Sequence, residues 1–216
     1  MRRCAYDIDL SHWRTRSLKR IGILGGTFNP VHKGHLRLAQ DARKRFDLDR
    51  VFFVPCARPP HKRPDRLAPA KHRLAMLEVV LKGNPRFVVS DIEIKRGGIS
   101  YSIDTVRRLK KLHPNLAMYF IIGGDSIDEL KSWKQIHELE NLCTFIATGR
   151  PGFRVRGSSK VKMFKGHLVD VSSSEIRKRV AEGKSIRRLV PAAVERYITD
   201  RCLYQAKESS RSKHSN

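Results

Sequence analysis

The chain has no apolar stretch approaching the ~20 residues needed to cross a bilayer. Its first twenty residues carry six basic and two acidic side chains and no apolar signal-peptide core. A membrane protein and a conventionally secreted one are both disfavoured. Cysteine is scarce: Cys4, Cys56, Cys143 and Cys202 lie scattered, without a C-x-x-C pair. This argues against structural zinc and against a disulfide scaffold, and reads as reduced thiols in a cytoplasmic protein. Acidic residues are few, 21 against 45 basic, for a net charge of +24. Such a field attracts anions without naming them. No helix-turn-helix, zinc-finger or RNP signature is present, so no specific nucleic-acid partner is expected. Also absent are G-x-G-x-x-G, the G-K-[ST] of a Walker A loop, a Ser-His-Asp set and an obvious buried carboxylate pair.

What is present is a 216-residue chain, 40% hydrophobic and 31% charged, long enough for one globular domain with a real core. Strand-like apolar runs at 21–24, 51–55, 87–89, 116–122, 145–148 and 168–171 alternate with helical patterns. The helices are expected at 35–46, 69–81, 105–112, 126–139, 173–181 and 191–202. Alternating β and α with near-continuous apolar strands predicts an α/β fold: a parallel sheet with helices on both faces. Ligands of such sheets bind beyond the carboxyl ends of the strands. Segments 57–69, 95–98 and 150–165 read as loops inserted at that rim. Residues 1–19 read as a basic N-terminal extension, 20–204 as the domain, and 205–216 as a polar basic tail.

The first strand runs into Gly25-Gly26-Thr27-Phe28-Asn29-Pro30-Val31-His32-Lys33-Gly34-His35. Two glycines at a strand end let backbone approach a bulky polyanion. His32 and His35, three apart at a helix start, share a face. Unpaired N–H groups and the positive end of the helix dipole lie beside them. Together these make a candidate site for phosphate oxygens. Taken singly, each residue also fits a tight turn or a helix cap. No acidic or cysteine ligand accompanies the histidines locally, so a metal site is not expected.

Near the other end stands Val171-Ser172-Ser173-Ser174-Glu175-Ile176-Arg177. Ser172 with Glu175 fits a capping box. A capped helix start can still offer N–H groups to an anion. Ser173 and Ser174 add hydroxyls, and Arg177 on the first turns can fork onto two phosphate oxygens.

The string Gly-x-Phe-x-Pro-x-His-x-Gly-His resembles the signature of the H-x-G-H/T-x-G-H nucleotidyltransferase superfamily. The late segment resembles that superfamily's I-S-S-T-x-I-R motif, with Val171 for Ile and Ser174 for Thr. Between them, Pro59-Pro60-His61-Lys62, Ser100-Tyr101-Ser102-x-Asp104-Thr105 and Ile122-Gly123-Gly124-Asp125 resemble blocks of the nicotinate-nucleotide adenylyltransferases. So do Leu130-x-x-Trp133, Glu138-Leu139, and Val190-Pro191 with Val194 and Tyr197-Ile198. The resemblance covers residues 21–198.

It implies a Rossmann-like doubly wound sheet whose C-terminal helices carry the S-S-S-x-I-R motif. It implies transfer of the adenylyl group of ATP to nicotinate mononucleotide, giving deamido-NAD and pyrophosphate in NAD biosynthesis. His32, His35 and Arg177 would be catalytic. Gly25, Gly26, Thr27, Phe28, Asp125, Ser173 and Ser174 would join them in holding ATP. His61, Lys62, Tyr101, Ser102 and Trp133 would hold the mononucleotide, Trp133 by stacking on the pyridine. Mg2+ would be held mainly by the ATP phosphates. A homo-oligomer stays open, and no membrane partner is implied. Where the family often has Asp, this chain has Asn29, which puts in doubt any contact needing a carboxylate there.

The nucleophile would be the mononucleotide's phosphate, already largely dianionic at neutral pH. It needs no general base, only alignment and charge neutralisation. Rival readings are preference for nicotinamide mononucleotide, a phosphopantetheine adenylyltransferase, and a basic nucleic-acid binder.

Overall fold

Six parallel strands form one sheet in the order β3-β2-β1-β4-β5-β6. The strands are β1 (Arg20–Gly26), β2 (Arg50–Pro55), β3 (Phe87–Val89), β4 (Ala117–Ile122), β5 (Thr144–Thr148) and β6 (Val161–Phe164). The helices are α1 (Lys33–Arg45), α2 (Ala70–Leu81), α3 (Ile92–Arg96), α4 (Ser102–Leu112), α5 (Ile136–Leu142), α6 (Ser173–Ala181) and α7 (Ala192–Asp200). This computed structural model describes residues 19–60, 67–148, 161–167 and 169–206, with the side chain of Asp125 outside the description. The strand order is that of a doubly wound Rossmann-like fold, which switches direction beside β1. Among the described residues, no helix is long and apolar enough to cross a membrane.

The period of two along each strand sorts the core into two layers. Leu24, Val51, Phe53 and Ile121 pack on one face, against Ala39 and Ala42 of α1, Met76 and Leu77 of α2, Ile176 of α6 and Val194 of α7. Ile23, Phe52, Val54, Phe120 and Phe145 pack on the other, against Val106 and Leu109 of α4 and Leu139 of α5. Neighbouring Phe52 and Phe53 therefore serve opposite layers, both with no exposed surface. Burial of each such ring contributes about 1.5–3 kcal/mol. The double burial explains why these strands are near-continuously apolar.

Four sequence expectations change. The strand expected at 168–171 is not one: Val169 to Val171 have no strand structure, and the sixth strand is Val161–Phe164. Val169 and Val171 line a cavity rather than a sheet. The new strand pairs with β5 alone, at the sheet edge. Its Lys162 and Met163 are exposed, which blurs the pattern of a buried strand. The single helix expected over 126–139 is instead two 3-10 turns, Gly124–Ser126 and Leu130–Ser132, followed by α5. It breaks at Trp133, which is extended, and at Gln135, with φ 53° in the left-handed region. The segment 95–98 expected as loop begins inside α3, and the loop expected over 150–165 gives way to β6 at Val161–Phe164, where the edge strand pairs with β5.

Candidate active site

β1 delivers its last two glycines to the carboxyl edge of the sheet. A Cβ on Gly26 would stand in ordinary contact with the Phe28 ring at 3.4 Å, so the turn lies directly over that ring. Phe28 itself adopts φ 47°, an uncommon backbone region for a bulky residue. Its side chain is fully buried against Phe53 and, edge-on, against His35 with 5.1 Å between centroids. The chain then turns through Asn29 and Pro30 into α1.

His32 is the N-cap of α1. Its backbone N–H donates to His35 Nδ1 at 3.2 Å, and the two rings stack with centroids 3.7 Å apart. Because His35 Nδ1 accepts, the proton of the neutral ring sits on Nε2. Burial pushes the His32 imidazole down to about 4, so at neutral pH it is an uncharged ring. Its Nδ1 is buried with no hydrogen-bond partner. Lys33 N–H is spent on the Leu189 carbonyl at 3.1 Å, which ties α1 to the chain before α7.

Asn29 is a hub. Its side-chain Oδ1 accepts from Ala68 N–H at 3.1 Å and from the Tyr204 hydroxyl at 2.9 Å. Its backbone carbonyl accepts from Arg177 Nη1 at 2.8 Å. Burial pushes the Tyr204 hydroxyl well above its ordinary value, so it stays a donor. Beneath the turn lies Arg73, 1% exposed. Its guanidinium donates to the carbonyls of Thr27 (2.9 Å), Cys56 (2.7 Å), Ala57 (3.1 Å) and Ala68 (2.9 Å). One side chain thus joins the glycine turn, the exit of β2 and the approach to α2.

α6 begins where expected. Ser172 is its N-cap and accepts from Glu175 N–H at 3.1 Å. The helix is hung directly on the first turn: Ser173 Oγ donates to the Pro30 carbonyl at 2.9 Å, and Arg177 reaches Asn29. Arg177 Nη2 also donates to Ser174 Oγ at 3.2 Å. With two contacts to protein, the guanidinium keeps further N–H donors for a ligand. At Gly34 a Cβ would meet Val171 Cγ1 at 3.0 Å, so α1 and the approach to α6 touch there with no room to spare.

Both helix starts face one cavity of about 1500 Å³. Its wall includes Gly25, Gly26, Thr27, His32 and His35 from the first motif, and Ser173, Ser174 and Arg177 from the second. It follows the carboxyl ends of β1, β4 and β5, where Gly26, Ile122 and Thr148 stand.

Residues 23–179 match the family model described as cytidylyltransferase-like. A probable nicotinate-nucleotide adenylyltransferase of Halalkalibacterium halodurans is 48% identical over 198 residues, 90% of this chain and 96% of that protein. One of Shouchella clausii is 46% identical over 187 residues, 87% of this chain and 97% of that protein. The chain belongs to the nicotinate-nucleotide adenylyltransferase family. A solved structure titled Plasmodium falciparum nicotinic acid mononucleotide adenylyltransferase complexed with NaAD superposes with TM-score 0.73, at 24% identity over 86% of this chain and 97% of that one. At that identity the likeness carries the fold.

The adenylyltransferase motifs expected from sequence do not all reach the cavity. Trp133 lines it, its ring set edge-on to Phe120 and Phe145 at 5.6 and 6.0 Å. Phe28 does not: with its ring buried under His35, only its backbone is left near the turn. Tyr101 and Ser102 start α4 outside the cavity wall. They are nonetheless its neighbours, for Lys134, next to Trp133, sits 4.3 Å over the Tyr101 ring. Ser100 Oγ accepts from Ala57 N–H at 2.9 Å, and Ser100 N–H donates to Arg58, so this segment clamps the root of the Pro59-Pro60 loop. His61 and Lys62 lie outside the described residues. Asp125 lies in the first 3-10 turn after β4.

Arg73 and Tyr204 were not singled out from sequence. Arg73 left a signal: it shares the buried face of α2 with Met76, Leu77 and Leu81, a charge on an apolar stripe. Tyr204 left none beyond being an aromatic after the last helix.

Proposed function

We infer that this chain transfers the adenylyl group of ATP to nicotinate mononucleotide, releasing pyrophosphate and nicotinate adenine dinucleotide. The observation that carries the reading is the convergence of two helix starts, about 140 residues apart in sequence, on one cavity, joined by direct hydrogen bonds. That cavity has donors for a polyphosphate, which suits a reaction whose nucleophile arrives already ionised.

In this reading the glycine turn lets the α-phosphate lie against backbone. His35, its proton fixed on Nε2 by the bond to Nδ1, donates to the α-phosphate as charge builds there. His32 enters as a neutral ring, and a bound polyanion favours its protonated form. Arg177 and the Ser173–Ser174 helix start hold the β- and γ-phosphates and the departing pyrophosphate. Trp133 offers its face to the pyridine, with Tyr101 and Ser102 beside it. The motif resemblance assigns the mononucleotide phosphate to His61 and Lys62 and the ATP ribose to Asp125. The mononucleotide phosphate attacks the α-phosphorus in line, and the bond to the bridging oxygen breaks without an enzyme-bound intermediate. Magnesium fits as a companion of the nucleotide: no three His, Cys, Asp or Glu side chains among the described residues are grouped to hold an ion. The ion would neutralise phosphate charge, held by ATP oxygens and water.

The test is pyrophosphate release from magnesium-ATP with nicotinate or nicotinamide mononucleotide under identical conditions. Turnover with the nicotinate form, at higher kcat/KM than with the amide, is expected. Preference for the amide would replace the substrate assignment, and no release with either would overturn the reading.

A further inference from the structure

Beyond the polyphosphate cradle the cavity has a second end, and this end contains a side-chain arrangement that the transfer chemistry does not use. It lies on the α1 face of the sheet, where Gly166 stands against Thr148 and Asp41, whereas Trp133 packs on the layer of the opposite face. Its wall includes Leu38, His167 and Val169. Val169 is one of the few exposed large apolar residues among those described, and it and Leu38 give this wall apolar side chains that suit a flat ring. Asp41 of α1 receives three donors there. His167 N–H donates to Oδ2 at 2.8 Å, His167 Nδ1 lies 3.1 Å from the same oxygen, and Arg37 Nε donates at 3.1 Å. Burial alone would push this carboxyl up, but the bonds from His167 and Arg37 hold it below its ordinary value. Asp41 is therefore a carboxylate, which only accepts.

The backbone bond from His167 already ties its segment to α1. The second bond adds nothing to that tie and does something else: it orients an imidazole that is otherwise 71% exposed in a cavity wall. With Nδ1–H directed to Asp41, the neutral ring turns Nε2 outward as an acceptor. A 6-aminopurine presents an N–H donor on its edge, and a 6-oxopurine presents an acceptor there.

We propose that His167, oriented by Asp41, is the specificity-determining residue for the base of the nucleoside triphosphate, its Nε2 accepting from the exocyclic amine of adenine. The proposal rests on the adenylyl-transfer reading, which places pyridine at Trp133 and the triphosphate between the helix starts and leaves this end for the base.

The experiment compares kcat/KM for ATP and inosine triphosphate, which replaces the 6-amine by an oxo group, at saturating nicotinate mononucleotide. Wild type, His167→Leu and His167→Gln are measured. Wild type is expected to favour ATP. His167→Leu should lose about tenfold with ATP, the worth of one neutral hydrogen bond, and stay within twofold with inosine triphosphate. His167→Gln, whose amide oxygen can stand where Nε2 stood, should keep most of the preference. A wild-type ratio preserved in His167→Leu, or an equal loss with both nucleotides, overturns the proposal. Absence of wild-type turnover with ATP would instead remove the transfer reading itself, so the two failures are told apart.

Discussion

The two phosphate-facing motifs are built in opposite ways. The first, from Leu24 to His35, is sunk into the protein: Phe28, Asn29, Val31 and His32 are all buried. It is held from below and beside: Arg73 donates to the Thr27 carbonyl, Ala68 and Tyr204 donate to the Asn29 side chain, and Lys33 N–H donates to the Leu189 carbonyl. The second, from Ser172 to Arg177, is mostly exposed and buries only Ile176. It takes its position from the first, through the carbonyls of Asn29 and Pro30. One motif is thus a template and the other is docked onto it. A preorganised donor is useful only if its support does not yield, and here the support of both motifs passes through the same few residues.

The sharpest way to break that asymmetry is to remove the template's anchor. Arg73→Met leaves four carbonyls without the donor they now share. Each buried orphan costs about 1–3 kcal/mol, so a loss of about 4 kcal/mol or more is expected. Urea unfolding or the melting temperature reads it. A near-normal midpoint would mean that water replaces the guanidinium and that the turn does not depend on it. Next in size is His35→Ala. Loss of one preorganised donor should lower kcat by about a hundredfold or more, ~3–4 kcal/mol in the barrier, with the fold intact by circular dichroism. Near-normal turnover in the folded variant would remove His35 from the chemistry.

Much of this contrast could be read from sequence, and the part that could not has a physical reason. Gly25-Gly26, the two histidines and the Ser172 cap are local devices: turn, helix start and cap each draw on residues a few positions apart. The cap and α6, Ser173–Ala181, fall where the sequence puts them. The break at Trp133 and Gln135 is not local. Trp133 is set between Phe120 and Phe145 from two different strands, and that packing overrides a helical pattern over 126–139. The apolar run at 168–171 misled for a related reason: Val169 and Val171 line the cavity, and one chain cannot distinguish an apolar residue facing a cavity from one facing a sheet. Arg73 went unnoticed because arginine is ordinarily a surface residue; only its apolar neighbours at positions 76 and 77 mark it as buried.

Acid should separate the two motifs as well. His32 is held near 4 by burial against about 6.5 for a free imidazole. Below about pH 6.5 the unfolded chain takes up this proton while the folded one does not, so stability falls as pH drops and the loss is complete near pH 4. A shift of that size corresponds to about 3 kcal/mol. Urea midpoints at pH 7.0 and 4.5 check it, with His32→Asn expected to flatten this component. A wild-type profile as steep in His32→Asn would assign the acid sensitivity elsewhere.

The smallest effect tests the docked half. Ser172→Ala removes the acceptor for Glu175 N–H, a cap worth about 1 kcal/mol, and the unfolding midpoint should fall by that amount. Turnover should change by less than about threefold, because Ser173 and Arg177 remain fastened to Pro30 and Asn29. The two readouts separate two origins of order in α6. If its start is fixed by its own cap, fraying of the first turn moves Arg177, and kcat falls with the midpoint. If it is fixed by the carbonyls of the first turn, the midpoint falls alone. A kcat loss of an order of magnitude or more in this variant would mean that the late motif orders itself, and that template and docked piece are better described as two independent halves.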